Sequence, residues 1–216
     1  MFQDRADAGR RLGIALGHLR QAAPLVLALP RGGVAVGREI AAALRAPLDV
    51  VLVRKIGAPN HAELAVGAVV DGDTPELVLN DDIVRAYGVG ADYLERAKRR
   101  QLAEIERRRR LYLAGRPRTP VAGRTAIVVD DGIATGATVL AALRAVRRQD
   151  PARLVLAVPV ASPEVLARLG PEADEVVCLI PAPDLMAVGQ FYDDFRQVED
   201  DEVVAMLADA AREAPP

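Results

Sequence analysis

The stretch VVDDGIATGAT, Val128–Thr138, places two neighbouring carboxylates between an apolar run and a turn of small and hydroxyl residues. The apolar residues that lead into it, TAIVV, are typical of a strand that is buried on both faces. The residues that follow the turn, ATVLAALRAV, predict a helix. The stretch therefore predicts a strand, a tight turn and a helix, which is the repeating unit of an α/β fold with a parallel sheet.

The rest of the chain continues this alternation of strands and helices. Strands are predicted at 25–30, 48–55, 125–131, 153–160 and 174–180, and helices at 4–22, 33–45, 136–149, 162–170 and 200–212. We therefore expect an α/β fold with a mainly parallel, doubly wound sheet and right-handed crossovers. We expect a single domain over residues 1–216.

Two segments are expected to lie outside this core. An insertion at about 56–118 holds two predicted strands, 64–70 and 76–80, around the turn DGDTP, and a long helix at 91–113. A small hood is expected at about 181–199.

Composition and charge exclude several classes of protein. The 216 residues carry a net charge of −2 and few aromatic side chains, so neither a basic field nor a stacking platform for nucleic acid is expected. One cysteine excludes an internal disulfide framework and a cysteine-built zinc site. The charged N-terminus differs from a signal peptide, and no apolar run reaches the ~18 residues of a membrane span. A cytoplasmic protein without membrane contact is expected.

The two carboxylates, Asp130 and Asp131, suit a ligand with paired hydroxyl groups. In an open parallel sheet, ligands bind beyond the carboxyl ends of the strands, where these residues are predicted to lie. Burying both charges without partners would cost several kcal/mol, so donors must face them. Carboxylates only accept hydrogen bonds, and the vicinal hydroxyls of a sugar offer two donors side by side.

The turn after the carboxylates is typical of a phosphate site. Small side chains leave the backbone amides accessible to a ligand, and Thr135 and Thr138 supply hydroxyls. The N-terminus of the helix that follows attracts anions. The turn lacks the lysine of a Walker A loop. A phosphate beside a diol indicates a ribose 5-phosphate. The alternative is an ordinary strand–turn–helix with an aspartate cap.

IVVDDGIATGAT resembles the phosphoribosyl-pyrophosphate (PRPP) signature of the type I phosphoribosyltransferases, and strand order and spacing extend the resemblance over about residues 20–180. It implies a five-stranded parallel core and transfer of a 5-phosphoribosyl group from PRPP to a nitrogenous acceptor, with release of pyrophosphate. Asp130 and Asp131 would hold the ribose hydroxyls and act in catalysis. The 5-phosphate would bind the loop formed by Ile133, Ala134, Thr135, Gly136, Ala137 and Thr138.

Two further loops are candidates for the pyrophosphate site. LPRGG, which ends in Arg31, Gly32 and Gly33, combines a cation with backbone that an anion can approach closely. It resembles the family's pyrophosphate loop, which often has an unusual peptide geometry; the alternative is an ordinary glycine turn. Arg54 and Lys55 could neutralise charge on the leaving pyrophosphate, or form a solvated strand end. The following segment, 58–67, is predicted to be a mobile catalytic loop that excludes water.

The implied reaction passes through a state with positive charge on the sugar ring, which carboxylates beneath the ring would stabilise. Mg²⁺ is the expected cofactor, bound with the substrate phosphates and in reach of Asp130 and Asp131.

The sequence gives fewer indications of the acceptor than of the donor. Family members that act on 6-oxopurines carry an acidic residue in the phosphate loop where this chain has Ala134, which argues against hypoxanthine or guanine. Candidate acceptor-binding residues near the last core strand and in the hood are Cys178, Leu179, Phe191, Tyr192 and Asp193. The aromatic side chains could stack on a planar base, or fasten the terminal helix to the core.

The helix at 91–113 carries a run of four arginines at 107–110. Such a run is usually a solvated face partly paired with acidic neighbours; a surface for RNA or an acidic partner and a homodimer interface are the other interpretations. Three interpretations remain open at this point: a phosphoribosyltransferase, a non-catalytic regulator of the same fold that binds PRPP or a nucleotide, and an unrelated nucleotide-binding domain.

Overall fold

The computed structural model describes residues 1–59, 61–71 and 75–213. Its strands are β1 (Pro24–Ala28), β2 (Leu48–Val50), β3 (Val53–Ala58), β4 (His61–Val70), β5 (Glu76–Leu79), β6 (Thr125–Val129), β7 (Arg153–Ala161) and β8 (Glu175–Pro181). Its helices are α1 (Arg5–Ala15), α2 (Gly32–Leu44), α3 (Asp81–Ala86), α4 (Ala91–Leu113), α5 (Ala137–Arg147), α6 (Pro163–Leu169) and α7 (Asp200–Glu213). The predicted α/β class is confirmed.

The core is a five-stranded sheet in the order β2-β1-β6-β7-β8, in which every neighbouring pair is parallel. Every residue of β1 and β6 is buried, as their continuous apolar sequences predict. Helices α1 and α2 pack on one face of the sheet, and α5 packs on the other. The sheet is therefore covered on both sides, as a doubly wound sheet requires.

The predicted strand 48–55 is wrong as a single element, because the chain changes sheets within it. Residues 48–50 pair with β1 in the core, whereas residues 53–58 pair antiparallel with β4 in a second sheet of order β3-β4-β5. The apolar run VVLV spans the change of sheet, so hydrophobic periodicity gives no sign of it. Arg54 and Lys55 consequently lie in the second sheet and not at the end of a core strand.

The segment predicted as a mobile loop, 58–67, is mostly strand. β3 runs to Ala58 and β4 begins at His61, and Asn60 between them lies outside the described residues. The turn predicted at 71–75 also lies largely outside them. The predicted pair of strands after the loop is present as β4 and β5, which are antiparallel.

The long helix lies at 91–113 as predicted, and its apolar stripe packs on the second sheet and on α7 through residues that include Leu94, Ile105 and Tyr112. The short helix α3 was not predicted. The first helix is shorter than the predicted 4–22, since it ends at Ala15 and a 3₁₀ turn follows. No helix in the described ranges combines the length and apolar character needed to cross a membrane.

Candidate functional site

The candidate site lies where the strand order of the core sheet reverses. The chain goes from β1 to β2 on one side and later returns to β6 on the other, so the carboxyl ends of β1 and β6 adjoin at a switch point. The register is tight there: Ala28 pairs with Val129, and the Leu29 amide donates to the Val129 carbonyl at 2.9 Å. The sequences PRGG and DDGIATGAT both follow this junction.

The acidic pair lies at the end of β6. The Asp131 amide donates to Asp130 Oδ1 at 2.9 Å, which fixes the Asp130 carboxyl. Burial raises the pKa of Asp130, and the neighbouring Asp131 charge raises it further. A ligand with hydrogen-bond donors or a positive charge would therefore stabilise the ionised form of this pair.

Arg5 is a site residue that the sequence did not single out. Its Nε donates to Asp131 Oδ2 at 2.7 Å, and its Nη1 donates to the Arg196 carbonyl at 2.8 Å. The guanidinium carbon lies 3.9 Å from the centre of the Phe195 ring. Nothing in the sequence of α1 distinguishes Arg5 from its neighbours Arg10 and Arg11, since its role depends on a contact across 126 positions of the chain.

The PRGG loop packs directly against the acidic pair. The peptide bond between Pro30 and Arg31 is cis. A β-carbon on Gly33 would lie 2.8 Å from the Val129 carbonyl oxygen and 3.1 Å from the Asp130 α-carbon. Glycine is needed because the two loops approach each other through their backbones.

Arg31 is partly exposed and faces the start of α7. Its Nη1 lies 3.4 Å from Glu199 Oε2 and 3.8 Å from Asp200 Oδ1. Asp200 Oδ1 also accepts a hydrogen bond from the Tyr112 hydroxyl at 2.5 Å. Arg31, the cation predicted for the pyrophosphate site, is therefore paired with two carboxylates at the start of α7.

The predicted phosphate loop leads into α5. The Ile133 amide donates to the Val160 carbonyl at 2.9 Å, and its buried side chain fastens the loop to β7. Ala134 and Thr135 are exposed, and Arg168 donates to the Thr135 carbonyl. Gly136 has φ +75° and caps α5, so the amides of Ala137 and Thr138 open the first turn of the helix. The glycine cap has no side chain to accept from those amides, so they are available to an anion.

The two basic residues of β3 face different partners. Arg54 Nε donates to Gln101 Oε1 of α4 at 3.2 Å. Lys55 is exposed and lines a cavity of about 420 Å³ between the second sheet and α5. Ala137 of the predicted phosphate loop lines the same cavity. Lys55 and the first residue of α5 thus line one cavity, while Arg54 is held against the long helix.

The hood aromatics pack in one cluster with residues at the N-terminus of the chain. The rings of Phe2 and Tyr192 lie 5.3 Å apart and those of Tyr192 and Phe195 4.9 Å apart, and Phe191 packs beside them. Tyr192 is 6% exposed, and its hydroxyl donates to the Asp131 carbonyl at 2.6 Å. Its ring and hydroxyl are therefore occupied within the protein.

The other acceptor candidates lie around this cluster. Asp193 is exposed, and its amide donates to the Phe2 carbonyl at 2.9 Å. Leu179 packs against the aromatic residues, and Cys178 pairs with Val158 within the sheet. Burial raises the pKa of the Cys178 thiol, which favours its neutral form.

A second cavity, of about 590 Å³, lies between the predicted phosphate loop, the start of α6 and the hood. Its polar lining comes from Thr135, Ser162, Glu164 and Arg168, and Leu185 of the hood closes one side. Sequence reasoning missed this cavity, because its walls come from three distant segments.

No group of three or more histidine, cysteine or acidic side chains in the described part of the chain is arranged to hold a metal ion. The donors at the end of β6 are carboxylate oxygens, which suit Mg²⁺ bound mainly through substrate phosphates and water.

Comparison with known proteins places the chain among relatives with the same domain. The family model of the phosphoribosyl transferase domain matches residues 7–194. The crystal structure of the protein TT1426 from Thermus thermophilus is 48% identical, with a TM-score of 0.84 over 97% of this chain and 98% of that chain.

A curated Mycobacterium tuberculosis protein named "Putative phosphoribosyl transferase" is 48% identical over 213 residues. The alignment covers 99% of this chain and 48% of that protein, so the chain spans about half the length of the curated relatives it matches. A hypothetical protein from Neisseria gonorrhoeae, crystallised with bound ppGpp, is 14% identical with a TM-score of 0.52 over 97% of this chain and 98% of that chain. This last likeness concerns the fold alone.

Proposed function

The chain belongs to the phosphoribosyl transferase domain family, and from this premise we propose that it transfers 5-phosphoribosyl from PRPP to a nitrogenous acceptor and releases pyrophosphate. The observation that carries the proposal is the contact between the PRGG loop and the acidic pair at the switch point. This contact would place a pyrophosphate site directly beside a site for the ribose hydroxyls, and the two groups are adjacent in PRPP.

Each part of the donor has a proposed partner. Asp130 and Asp131 accept from the ribose hydroxyls, and the turn 133–138 with the first amides of α5 binds the 5-phosphate. Arg31 and the amides of Gly32 and Gly33 bind the pyrophosphate. Lys55 and its neighbour Arg54, whose Nε donates to Gln101 of α4, are the proposed cations from the side of the second sheet.

The proposed chemistry is displacement at the anomeric carbon. As the bond to pyrophosphate breaks, the ring gains positive charge, which the carboxylates of Asp130 and Asp131 stabilise. Arg31 and Lys55 stabilise the negative charge that develops on the leaving group. Mg²⁺, when bound with PRPP, would neutralise phosphate charge, and Asp130 and Asp131 are the residues that would hold it.

We propose that the acceptor occupies the cavity between the phosphate loop and the hood. Ala134 leaves its entrance free of an acidic side chain, while Glu164 can accept a hydrogen bond from an amine or ring nitrogen. Tyr192 is not proposed to stack on the acceptor, since its ring is buried against Phe2 and Phe195. Glu164→Gln should raise the KM for the acceptor and leave PRPP affinity unchanged.

The test of the proposed function is pyrophosphate release from PRPP with Mg²⁺, across a panel of purine and pyrimidine bases and simple amines. We expect release with at least one acceptor, and its loss in Asp131→Asn. The matched control is Asp82→Asn, which removes a carboxylate that is 90% exposed on α3. Failure of the wild-type protein to bind PRPP in calorimetry would overturn the proposal.

A second candidate function is a non-catalytic regulator that binds PRPP or a nucleotide. The observation that favours it is that the hood aromatic rings pack against other residues of the protein. This cluster therefore offers an acceptor no ring on which to stack. Tight binding of PRPP without pyrophosphate release from any acceptor in the panel would support this candidate.

A further inference from the structure

We infer that Arg5 is a positioning residue of the donor site, which orients the Asp131 carboxylate so that one oxygen faces the ribose; this inference rests on the proposed function. Arg5 belongs to α1, outside the loops to which the family resemblance assigns the donor. Its side chain is only 11% exposed, which is low for a charged residue near the N-terminus of the chain.

The Arg5 guanidinium is held on several sides by residues that lie far away in sequence. Nη1 donates to the Arg196 carbonyl at 2.8 Å, and the guanidinium carbon lies over the Phe195 ring, 3.9 Å from its centre. Nε is thereby directed at Asp131 Oδ2, which it reaches at 2.7 Å. A side chain fixed in this way can define the orientation of the carboxylate it contacts, because the planar guanidinium offers its donors in a rigid geometry.

Asp130 and Asp131 are anchored in equivalent ways. The backbone amide of Asp131 holds Asp130 Oδ1, and Arg5 holds Asp131 Oδ2. Within the described residues, no N–H group reaches the second oxygen of either carboxylate. The Asp130 and Asp131 carboxyl groups also contact each other. We infer that the two hydroxyls of a ribose, which are donors, would replace this contact between two acceptors.

Arg5 also connects the donor site to the hood. Arg196 and Phe195, which hold its guanidinium, belong to the segment 181–199, and Tyr192 of the same segment donates to the Asp131 carbonyl. Asp131 is thus contacted by the hood both directly and through Arg5.

The experiment measures PRPP binding by calorimetry with Mg²⁺ for Arg5→Gln, Arg5→Lys and the control Arg10→Gln. Arg10 lies on the same helix, is 54% exposed and lies 3.9 Å from Asp7, so its change removes an equal charge without touching Asp131. We expect Arg5→Gln to weaken binding at least about tenfold. Arg5→Lys should bind PRPP with an affinity between those of Arg5→Gln and wild type, because lysine keeps the positive charge but lacks the planar guanidinium. Arg10→Gln should bind PRPP as wild type does.

A double-mutant cycle separates positioning from a role in folding. If Arg5 acts through Asp131, Arg5→Gln should cost little further PRPP affinity once Asp131 is Asn. Two results would overturn the inference while leaving the proposed function intact. The losses of PRPP affinity in the two single variants could add in the double variant, or Arg5→Gln could bind PRPP as wild type does. Absence of PRPP binding by the wild-type protein would overturn both.

Discussion

A β-carbon on Gly32 would lie 2.5 Å from the Asp131 carboxyl carbon, so the Asp131 carboxylate can hold its position only because residue 32 has no side chain. The same β-carbon would lie 3.0 Å from Arg5 Nε. Gly32 therefore leaves room for both members of the Arg5–Asp131 pair.

Gly32→Ala should impair the donor site more than the fold. The position begins α2, where alanine is favoured over glycine by up to about 1 kcal/mol, so the helix should persist. The added methyl group must displace the Asp131 carboxylate, and PRPP affinity should fall about tenfold or more. Calorimetry and thermal unfolding measure the two effects. Gly17→Ala is the control, because nothing lies within 4 Å of its added β-carbon; equal PRPP affinity in both variants would contradict the prediction.

Asp130→Asn should stabilise the ligand-free protein and abolish donor binding. Burial disfavours the charged form of Asp130, whereas asparagine is neutral and keeps an oxygen to accept from the Asp131 amide. We expect a higher Tm for Asp130→Asn than for wild type, with a difference that grows as pH rises above the ordinary pKa of an aspartate, measured without PRPP or Mg²⁺. Asp130→Ala, which loses the acceptor, should show no such gain. A lower Tm for Asp130→Asn would contradict the expectation that burying a charged carboxylate at this position destabilises the protein.

Tyr192→Phe should loosen the contact between the hood and the acidic pair. The variant keeps the ring contacts with Phe2 and Phe195 but removes the hydroxyl that donates to the Asp131 carbonyl. Loss of this buried hydrogen bond should lower the free energy of unfolding by about 1 kcal/mol, measured by urea denaturation. Tyr87→Phe is the control, since Tyr87 is 50% exposed. An equal effect in both variants would mean that the Tyr192 hydroxyl contributes nothing specific.

The parts of the site that the sequence predicts are those built from continuous stretches. The run from Val128 to the small residues after Asp131 indicates three features in succession. A buried strand ends, two charged residues follow, and a helix begins. Fold class, four of the five core strands and the long helix at 91–113 could be predicted for the same reason, because their signals are local in sequence.

The parts that it does not predict depend on contacts between distant residues. Arg5 reaches Asp131 only because the N-terminus runs beside the hood, where the Phe2 amide donates to the Phe191 carbonyl. The change of sheet between Val50 and Val53 cannot be detected in the sequence, since valine is favoured in the strands of both sheets. Asp49, which accepts from the Thr119 amide at 2.8 Å, likewise cannot be distinguished from a surface carboxylate by sequence alone.

Tyr112→Phe should change how stability depends on alkaline pH. Burial raises the pKa of Tyr112 to about 12, and its hydrogen bond to Asp200 adds to the shift. The folded state therefore favours the protonated phenol, so its contribution is complete below the ordinary pKa of about 10 and is lost as pH rises toward 12. Urea unfolding at pH 9, 10 and 11 should show a steeper loss for wild type than for Tyr112→Phe. Parallel losses would exclude Tyr112 as a source of the pH dependence.

Arg31 and Glu199 should have opposite effects on pyrophosphate binding. Arg31→Gln removes a cation from the proposed pyrophosphate loop and should raise the Kd for pyrophosphate about tenfold or more. Glu199→Gln removes a carboxylate that lies 3.4 Å from Arg31, and should lower the Kd by a few-fold, the size expected for an exposed ion pair. Calorimetry with pyrophosphate and Mg²⁺ measures both. Arg212→Gln, at the far end of α7 and 75% exposed, controls for net charge. Weaker binding in Glu199→Gln would show that Glu199 orients Arg31 for the anion and does not compete with it.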